Sequence, residues 1–420
     1  MSSSDRRQFL VSAGLAAGAT SARFPAVAQE AAAGAKSLNL RITGLKTFLV
    51  NVGSVNWILC QVHTNQGLVG LGEASMVPSK EATVAQAIME HERFLVGQDP
   101  TNIELLWQGM FRHPRWRGGP ILNSAISAVE IALWDILGQA LGVPIYKLLG
   151  GAARTRIRMY IDIDPTVEAF LHVKEQGYTA AKTTAIEPEH LLIEPHSVIR
   201  RSVAKLQEIR KAVGDDFDIA VDAHGRLTTT MAIDFCTRVE ELDLLWVEEA
   251  TQLEDLGELA LLRSKTKTHL ATGERSYTKW GFADFCSRHL VDYIQPDVCH
   301  CGGILELKKI GVLAETYRLN VAPHNPQSLV STLASMHVDA TSPANTIQES
   351  APGNYGELRP AAWMDDLFNG KGPDIKNGYA ELPSLPGLGV SLNEKVAAQH
   401  PYKPVNREHF TFGDGSVADQ

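Results

Sequence analysis

"IAVDAHGRL", residues 219–227, is an apolar run that ends in an acid and, two positions on, an imidazole. Its small and β-branched residues suit a buried strand, and period-two alternation sets Asp222 and His224 on one face. The pattern recurs along the second half of the chain. Short apolar runs end in a polar residue at Lys182 ("TAAKTT"), Glu248 ("LLWVEE"), Glu274 ("HLATGE"), Asp297 ("VDYIQPD"), His324 ("LNVAPH") and Glu349 ("NTIQE"). From Asp222 to Glu349 the intervals are 26, 26, 23, 27 and 25 residues, and each gap holds a helix-like segment. Strands alternating with helices at that spacing predict parallel β/α units, and seven or eight of them close into a TIM-type barrel more readily than they open into a sheet.

A parallel strand is buried on both faces, so a charge is tolerated only at its mouth. In a barrel, the C-terminal strand ends converge. Asp222, Glu248 and Glu274, on successive strands, would then form one acidic cluster. The alternative is that each acid caps the helix that follows it. Three carboxylates held together repel one another, and a hard divalent cation relieves that repulsion. Oxygen ligands favour Mg²⁺ (or Mn²⁺) over zinc, and no His-x-His pair of the kind a zinc barrel uses is present. Such a cation can hold a substrate carboxylate and stabilise charge developing on it. Asp297 and His324, ending neighbouring strands, suit an oriented base, and His224 would enter from the opposite side of the ring. Either histidine alone could be structural.

The rest of the chain frames this unit. Its 420 residues are 44% hydrophobic with a formal net charge of −9. The acidic balance argues against nucleic acid as a partner. Residues 38–150 read as an α+β domain: strands around "LRITGLKTFLV" and "VNWILCQVHT", a turn at Asn65-Gln66-Gly67, then "LVGLGEA" and a helical region. In "ILNSAISAVEIALWDILGQALG" a single stripe of Ile121, Ala125, Ala128, Ala132, Ile136 and Ala140 is expected, ending at Gly142 and Pro144. "FRHPRWRGG" (111–119) is either an anion-facing loop or an ordinary surface loop. Residues 1–28 read as a twin-arginine export signal, with Arg6-Arg7 and an Ala26-Val27-Ala28 cleavage site, or else as a tail that carries two arginines by chance. The signal predicts a periplasmic or otherwise exported protein. No other segment is expected to approach twenty apolar residues, so no membrane partner is expected for the mature chain. Five cysteines, odd in number, do not suggest a disulfide framework, and "CHCGG" (299–303) is a weak metal motif.

Taken together, "RGGPILNSAISAVEIALWDILGQALGVPIYKLLGG" (117–151), "DAHGRL", "WVEE", "GER", "QPDVCHCGGILELKKI", "APH", "IQE" and "PGLGV" resemble the enolase superfamily, in its mandelate racemase subgroup, over about residues 40–395. They are most similar to the sugar-acid dehydratases of the D-galactonate type. The resemblance implies an α/β fold: a modified (β/α)7β barrel at 151–355, an N-terminal α+β capping domain at 38–150, and a 356–420 segment that completes the cap. The cap loops near Val52–Trp57 and Ala74–Ser79 would cover the mouth. It implies Asp222, Glu248 and Glu274 as Mg²⁺ ligands and His324–Asp297 as the base, as superfamily sites pair a base with Mg²⁺. It further implies Glu349 as a hydrogen-bonding partner on the enediolate side of the substrate and His224 as the acid that expels the 3-hydroxyl. Many relatives carry Lys-x-Lys on the second strand, whereas here Thr184 stands in the second position. Lys182 is then an electrostatic partner of the substrate carboxylate, or simply one member of an ion pair. The expected activity is dehydration of an aldonate or aldarate to a 2-keto-3-deoxy acid, with a small acid sugar as partner and a homo-oligomeric assembly. The alternatives are a racemase or epimerase of an α-hydroxy acid, and a barrel that binds sugar acids without turnover.

Overall fold

The computed structural model describes residues 38–113, 115–184, 186, 192–350, 362–406 and 408–419, and the twin-arginine segment lies outside them. The chain divides after Leu40; of the first part only residues 38–40 are described, without regular secondary structure. Residues 41–420 form the larger unit, which holds every element named below.

Three antiparallel strands come first: β1 (Ile42–Asn51), β2 (Asn56–Thr64) and β3 (Val69–Ala74). Against β3 lies the Pro120–Leu141 helix. Gly70 and Gly72 make that approach possible, since a Cβ at either would collide with the backbone oxygens of Ala132 and Ala128. The expected single stripe is corrected here: this helix is buried nearly all round, from Asn123 to Ile136. It is also long and apolar enough, by composition, to cross a membrane, although 83% of its most apolar window lies inside the protein. The reason is a second packing face. Ser124, Ser127 and Glu130, spaced by three, turn toward the loop after the sixth barrel strand. Ser127 Oγ accepts from Gly302 N (2.9 Å), and Glu130 accepts from Ile304 N (2.6 Å) and Leu305 N (2.9 Å).

Eight parallel strands then follow in sequence: β4 (Arg156–Asp162), β5 (Ala180–Thr183), β6 (Asp218–Asp222), β7 (Trp246–Glu248), β8 (Leu270–Thr272), β9 (Tyr293–Ile294), β10 (Asn320–Val321) and β11 (Gln348–Ser350). Seven helices alternate with them, from Val167–Glu175 to Leu329–Asp339, which is the (β/α)7β order. Consecutive strands pair from β4 to β10, and β11 returns to pair with β4. At the remaining seam, Val321 N donates to Ala344 O (2.8 Å) and Val321 O accepts from Thr346 N (2.9 Å), just ahead of β11. Inside the ring, Tyr160, Ala180, Ala220, Trp246, Ala271, Ala322 and Ile347 form one buried cluster, with Tyr293 packed against it. Tyr160, Ala180, Ala220, Trp246 and Ala271 come from β4 to β8, Ala322 follows β10 and Ile347 precedes β11. Small residues on β5, β6 and β8 and after β10 leave space for the rings of Tyr160, Trp246 and Tyr293, which meet at 4.8–5.4 Å between centroids.

The end of the chain returns to the N-terminal sheet. Val50 bridges Pro401, Asn51 N donates to His400 O (2.9 Å), and Asn56 Nδ2 donates to Lys403 O (2.9 Å). The turn that precedes Asn56 is therefore tied to C-terminal residues, while Ser75 N, past the end of β3, reaches Cys299 O (2.9 Å) in the barrel.

Candidate active site

Two residues beyond each member of the core cluster, strand alternation delivers the next inward position. Around the ring these are Asp162, Lys182, Asp222, Glu248, Gly273, Gln295, His324 and Glu349. An apolar layer thus carries a charged layer directly above it, at the C-terminal ends of the strands. Gly273, at φ +133°, bends β8 so that Glu274 joins the set instead.

Asp222, Glu248 and Glu274 each offer an oxygen, and these lie within 4.8 Å of one another; among the described residues this is the one such group. The seven barrel helices begin at Thr166, Glu194, Thr228, Asp255, Tyr277, Gly303 and Ser328, so the capping alternative fails for all three acids. The set fits a hard divalent cation on its own chemistry: three carboxylates, with Glu274 Oε2 buried and lacking a hydrogen-bond partner. That atom is 3.2 Å from His324 Nε2 but without hydrogen-bonding geometry. Burial, with Asp222 and Glu249 adding, pushes Glu274 up to about 7, and burial holds Glu248 well above the usual carboxylate range. Asp222 goes the other way: burial acts to raise it, but His224, Lys182 and the His224 N–H (2.8 Å) outweigh burial and lower it.

Lys182 is buried in the middle of the layer. Its Nζ is 2.9 Å from Glu349 Oε1, 3.1 Å from Glu248 Oε1 and 3.5 Å from Asp222 Oδ2. Of the two expectations for this lysine, the geometry is that of the ion pair. Burial would lower its pKa, but the surrounding acids raise it well above the ordinary value, so it is a fixed positive charge.

The two histidines flank the cluster. His324 Nδ1 lies 2.9 Å from Asp297 Oδ2, whose other contacts are Gln327 Nε2 (2.8 Å) and, on Oδ1, Cys299 N (2.7 Å). Asp297 is thereby anchored from three directions and fixes the imidazole plane, leaving Nε2 toward the site. Burial would lower His324, but Glu274, Asp297 and Glu349 more than offset it and raise it to about 10. On the opposite side, His224 is partly exposed, with Nε2 3.3 Å from Asp222 Oδ2 and Nδ1 3.4 Å from Thr184 Oγ1. Burial lowers its pKa, so it carries its proton less tightly than a free imidazole. It stands at φ +52°, a conformation that costs a non-glycine residue about 1–2 kcal/mol and is held by the Asp222 contact. Glu349 Oε2 accepts from Asn325 N (2.7 Å), which leaves Oε1 on Lys182.

All eight residues singled out from the sequence lie at this one mouth. Sequence reasoning missed Asp162, although "RIRMYID" also ends in an acid. Burial pushes Asp162 up to about 7, with Glu349 and Asp222 adding and Lys182 and His324 opposing. It also missed Gln295, fully buried with neither amide atom partnered, and Gln327, which holds Asp297. Cys299 and Cys301 are buried thiols held protonated by burial, and all five cysteines are free, so the "CHCGG" motif is ordinary loop. Of the 111–119 stretch, Phe111, Arg117 and Gly118 line a cleft with Tyr277 and Trp280.

Comparison with known proteins agrees in every direction. The Mandelate racemase / muconate lactonizing enzyme N-terminal domain matches residues 36–150, and the Enolase C-terminal domain-like family matches residues 166–396. D-Galactonate dehydratase of Ralstonia pickettii is 34% identical, over 90% of this chain and 100% of that protein. Among solved structures, an enolase from Pantoea ananatis with bound D-gluconate and Mg is 28% identical with a TM-score of 0.81, covering 91% of this chain and 100% of that one. An enolase from Agrobacterium radiobacter with bound Na and L-malate is likewise 28% identical at 0.81, covering 90% and 100%. Two domain matches that together span most of the chain, on a barrel whose mouth carries these carboxylates and imidazoles, make this protein a member of the enolase superfamily.

Proposed function

We propose that this chain is a hydro-lyase that removes water from an acid sugar, aldonate or aldarate, to give a 2-keto-3-deoxy acid. The observation that carries it is the pair of imidazoles on opposite sides of three converging carboxylates, one backed by Asp297 and the other by Thr184. Asp222, Glu248 and Glu274 would hold Mg²⁺ (or Mn²⁺), which supplies charge stabilisation for the substrate carboxylate and, by engaging Glu274, weakens the contact that raises His324. His324 Nε2 takes the proton from C2, and the C–H electron pair forms the enediolate. Glu349, fixed by the Asn325 N–H, faces that enediolate beside the Lys182 charge. The C3–O bond then breaks as His224 delivers its proton, water leaves, and the enol becomes the keto acid.

Racemisation by the same site needs a second base on the opposite face. Thr184 cannot serve and Lys182 is locked among three acids, which leaves His224, so the exchange experiment below separates the two readings. Incubating the enzyme with Mg²⁺ and a library of aldonates and aldarates, read with semicarbazide for keto product, tests the proposal. Keto acid from at least one member is expected. Exchange of the α-hydrogen with D₂O and no keto acid would mean epimerase chemistry, and affinity without either would mean a binding protein. Export by the twin-arginine route is proposed on Arg6-Arg7 and the Ala26-Val27-Ala28 site; replacing both arginines by lysine should leave the protein in the cytoplasmic fraction. Self-association into a homo-oligomer is read by light scattering.

A further inference from the structure

Acid sugars come as aldonates, with one carboxylate and a polyol tail, and as aldarates, with a carboxylate at each end. The inward layer bears on the choice through Asp162, which the dehydration steps leave unused. Asp162 is in register with Lys182 across the β4–β5 ladder, and Ile161 is in register with Ser350, next to Glu349, across the β4–β11 ladder. Lys182, Glu248 and Glu349 in the same layer are buried, whereas Asp162 is half-buried.

Strand order fixes where the tail of the substrate goes. Its carboxylate end belongs to the β6–β8 sector, where the three converging acids stand. C2 faces His324 after β10, and C3 faces His224 after β6. The sector next round the ring beyond C3 is β4–β5, with Thr184, which contacts His224, and Asp162 at its strand ends. Resting on the dehydration proposed above, we infer that Asp162 is a specificity-determining residue: it accepts hydrogen bonds from the tail hydroxyls and repels a second carboxylate, so the enzyme takes aldonates in preference to aldarates. A carboxylate has two oxygens and accepts from neighbouring hydroxyls at once. Lys182, in register with Asp162, is shared: its Nζ contacts Glu248, Glu349 and Asp222, so one positive charge stands among four carboxyl groups and offsets that of Asp162 only in part.

The test compares D-galactonate with galactarate at about pH 8, above the value of about 7 to which burial pushes the Asp162 carboxyl. Wild type should show kcat/KM for the aldonate at least about 10-fold above that for the aldarate. Asp162→Asn should raise the aldonate KM more than it lowers kcat, and bring the ratio toward unity. Asp162→Ser is the second variant, should the first fold poorly. A residue that merely balances Lys182 would lower kcat for both substrates alike and leave the ratio unchanged, which would overturn the inference. Discrimination is read apart from turnover by thermal-shift titration of both acids, with Mg²⁺, against His324→Asn and His324→Asn/Asp162→Asn. Equal affinities in both proteins sink the role of Asp162 even if wild type dehydrates. Absence of keto acid with discrimination intact sinks only the dehydration.

Discussion

In the proposed reaction His224 and His324 would stand on opposite sides of one reacting carbon pair, so their removal should separate its two halves. His324→Asn is expected to abolish both α-hydrogen exchange and keto acid formation, by about 10²–10⁴-fold. His224→Asn should lose keto acid by a similar factor yet retain exchange of the C2 hydrogen, followed by NMR in D₂O. Equal loss of both signals in His224→Asn would remove it from the acid role. At this scale the sequence was largely readable, because a buried parallel strand leaves a polar side chain one place to be. Asp222, Glu248 and Glu274 each stand out against an apolar run. Asp162 was hidden because Ile163 and Asp164 continue the alternation beyond it, so that no run visibly ends. The ion pairing of Lys182 was undecidable from spacing, since it depends on three acids from β6, β7 and β11 meeting one amine.

At the scale of elements, two buried carboxylates join the N-terminal sheet and its long helix to the barrel, each at the start of a barrel helix. Glu73 on β3 accepts from Ser328 N (3.0 Å), Ser328 Oγ (2.6 Å) and Ser331 N (3.1 Å). Glu130 accepts from Ile304 N, Leu305 N and Trp134 Nε1. Glu130→Ala leaves three buried donors unpaired and should destabilise the fold by about 2–3 kcal/mol, seen as a lower melting temperature. Burial, against those hydrogen bonds, raises both acids from 4.5 to about 8. A raised acid holds its proton more tightly folded than unfolded. Its contribution is therefore intact below pH 4.5 and is lost progressively as the pH climbs to about 8. Glu73→Gln should accordingly lose less melting temperature than wild type between about pH 5 and pH 8. Neither acid was foreseen, and the stripe expected on the Pro120–Leu141 helix failed for the same reason. Hydrophobic periodicity marks one buried face, whereas this helix is covered on a second face through the serines and Glu130, residues that look solvent-facing in the sequence.

For the whole molecule, cation binding and proton release are one equilibrium. Glu274 sits near 7 and Glu248 well above its usual range, so a cation taken up by them at pH 6–7 displaces protons. Mg²⁺ affinity should rise with pH through this range, with proton release measurable as a buffer-dependent binding enthalpy. At about 100 times its dissociation constant, Mg²⁺ should add about 2.7 kcal/mol of stability, and chelation should reverse it. Metal affinity independent of pH would place the ion elsewhere. The barrel was legible in the sequence from its 23–27-residue rhythm, but the partnership between chain ends was not, because no local pattern records which distant segments pair. That partnership governs assembly order. Residues 400–403 stitch to β1 and β2, and Thr411 bridges Leu192 while Phe410 lies 4.8 Å from the Arg226 guanidinium, two positions past His224. The ribosome therefore releases the last seam of the enclosure only after every catalytic strand has been made. A nascent chain halted near residue 390 would carry every charged strand end of the ring while Asn51 and Asn56 still lacked His400 and Lys403.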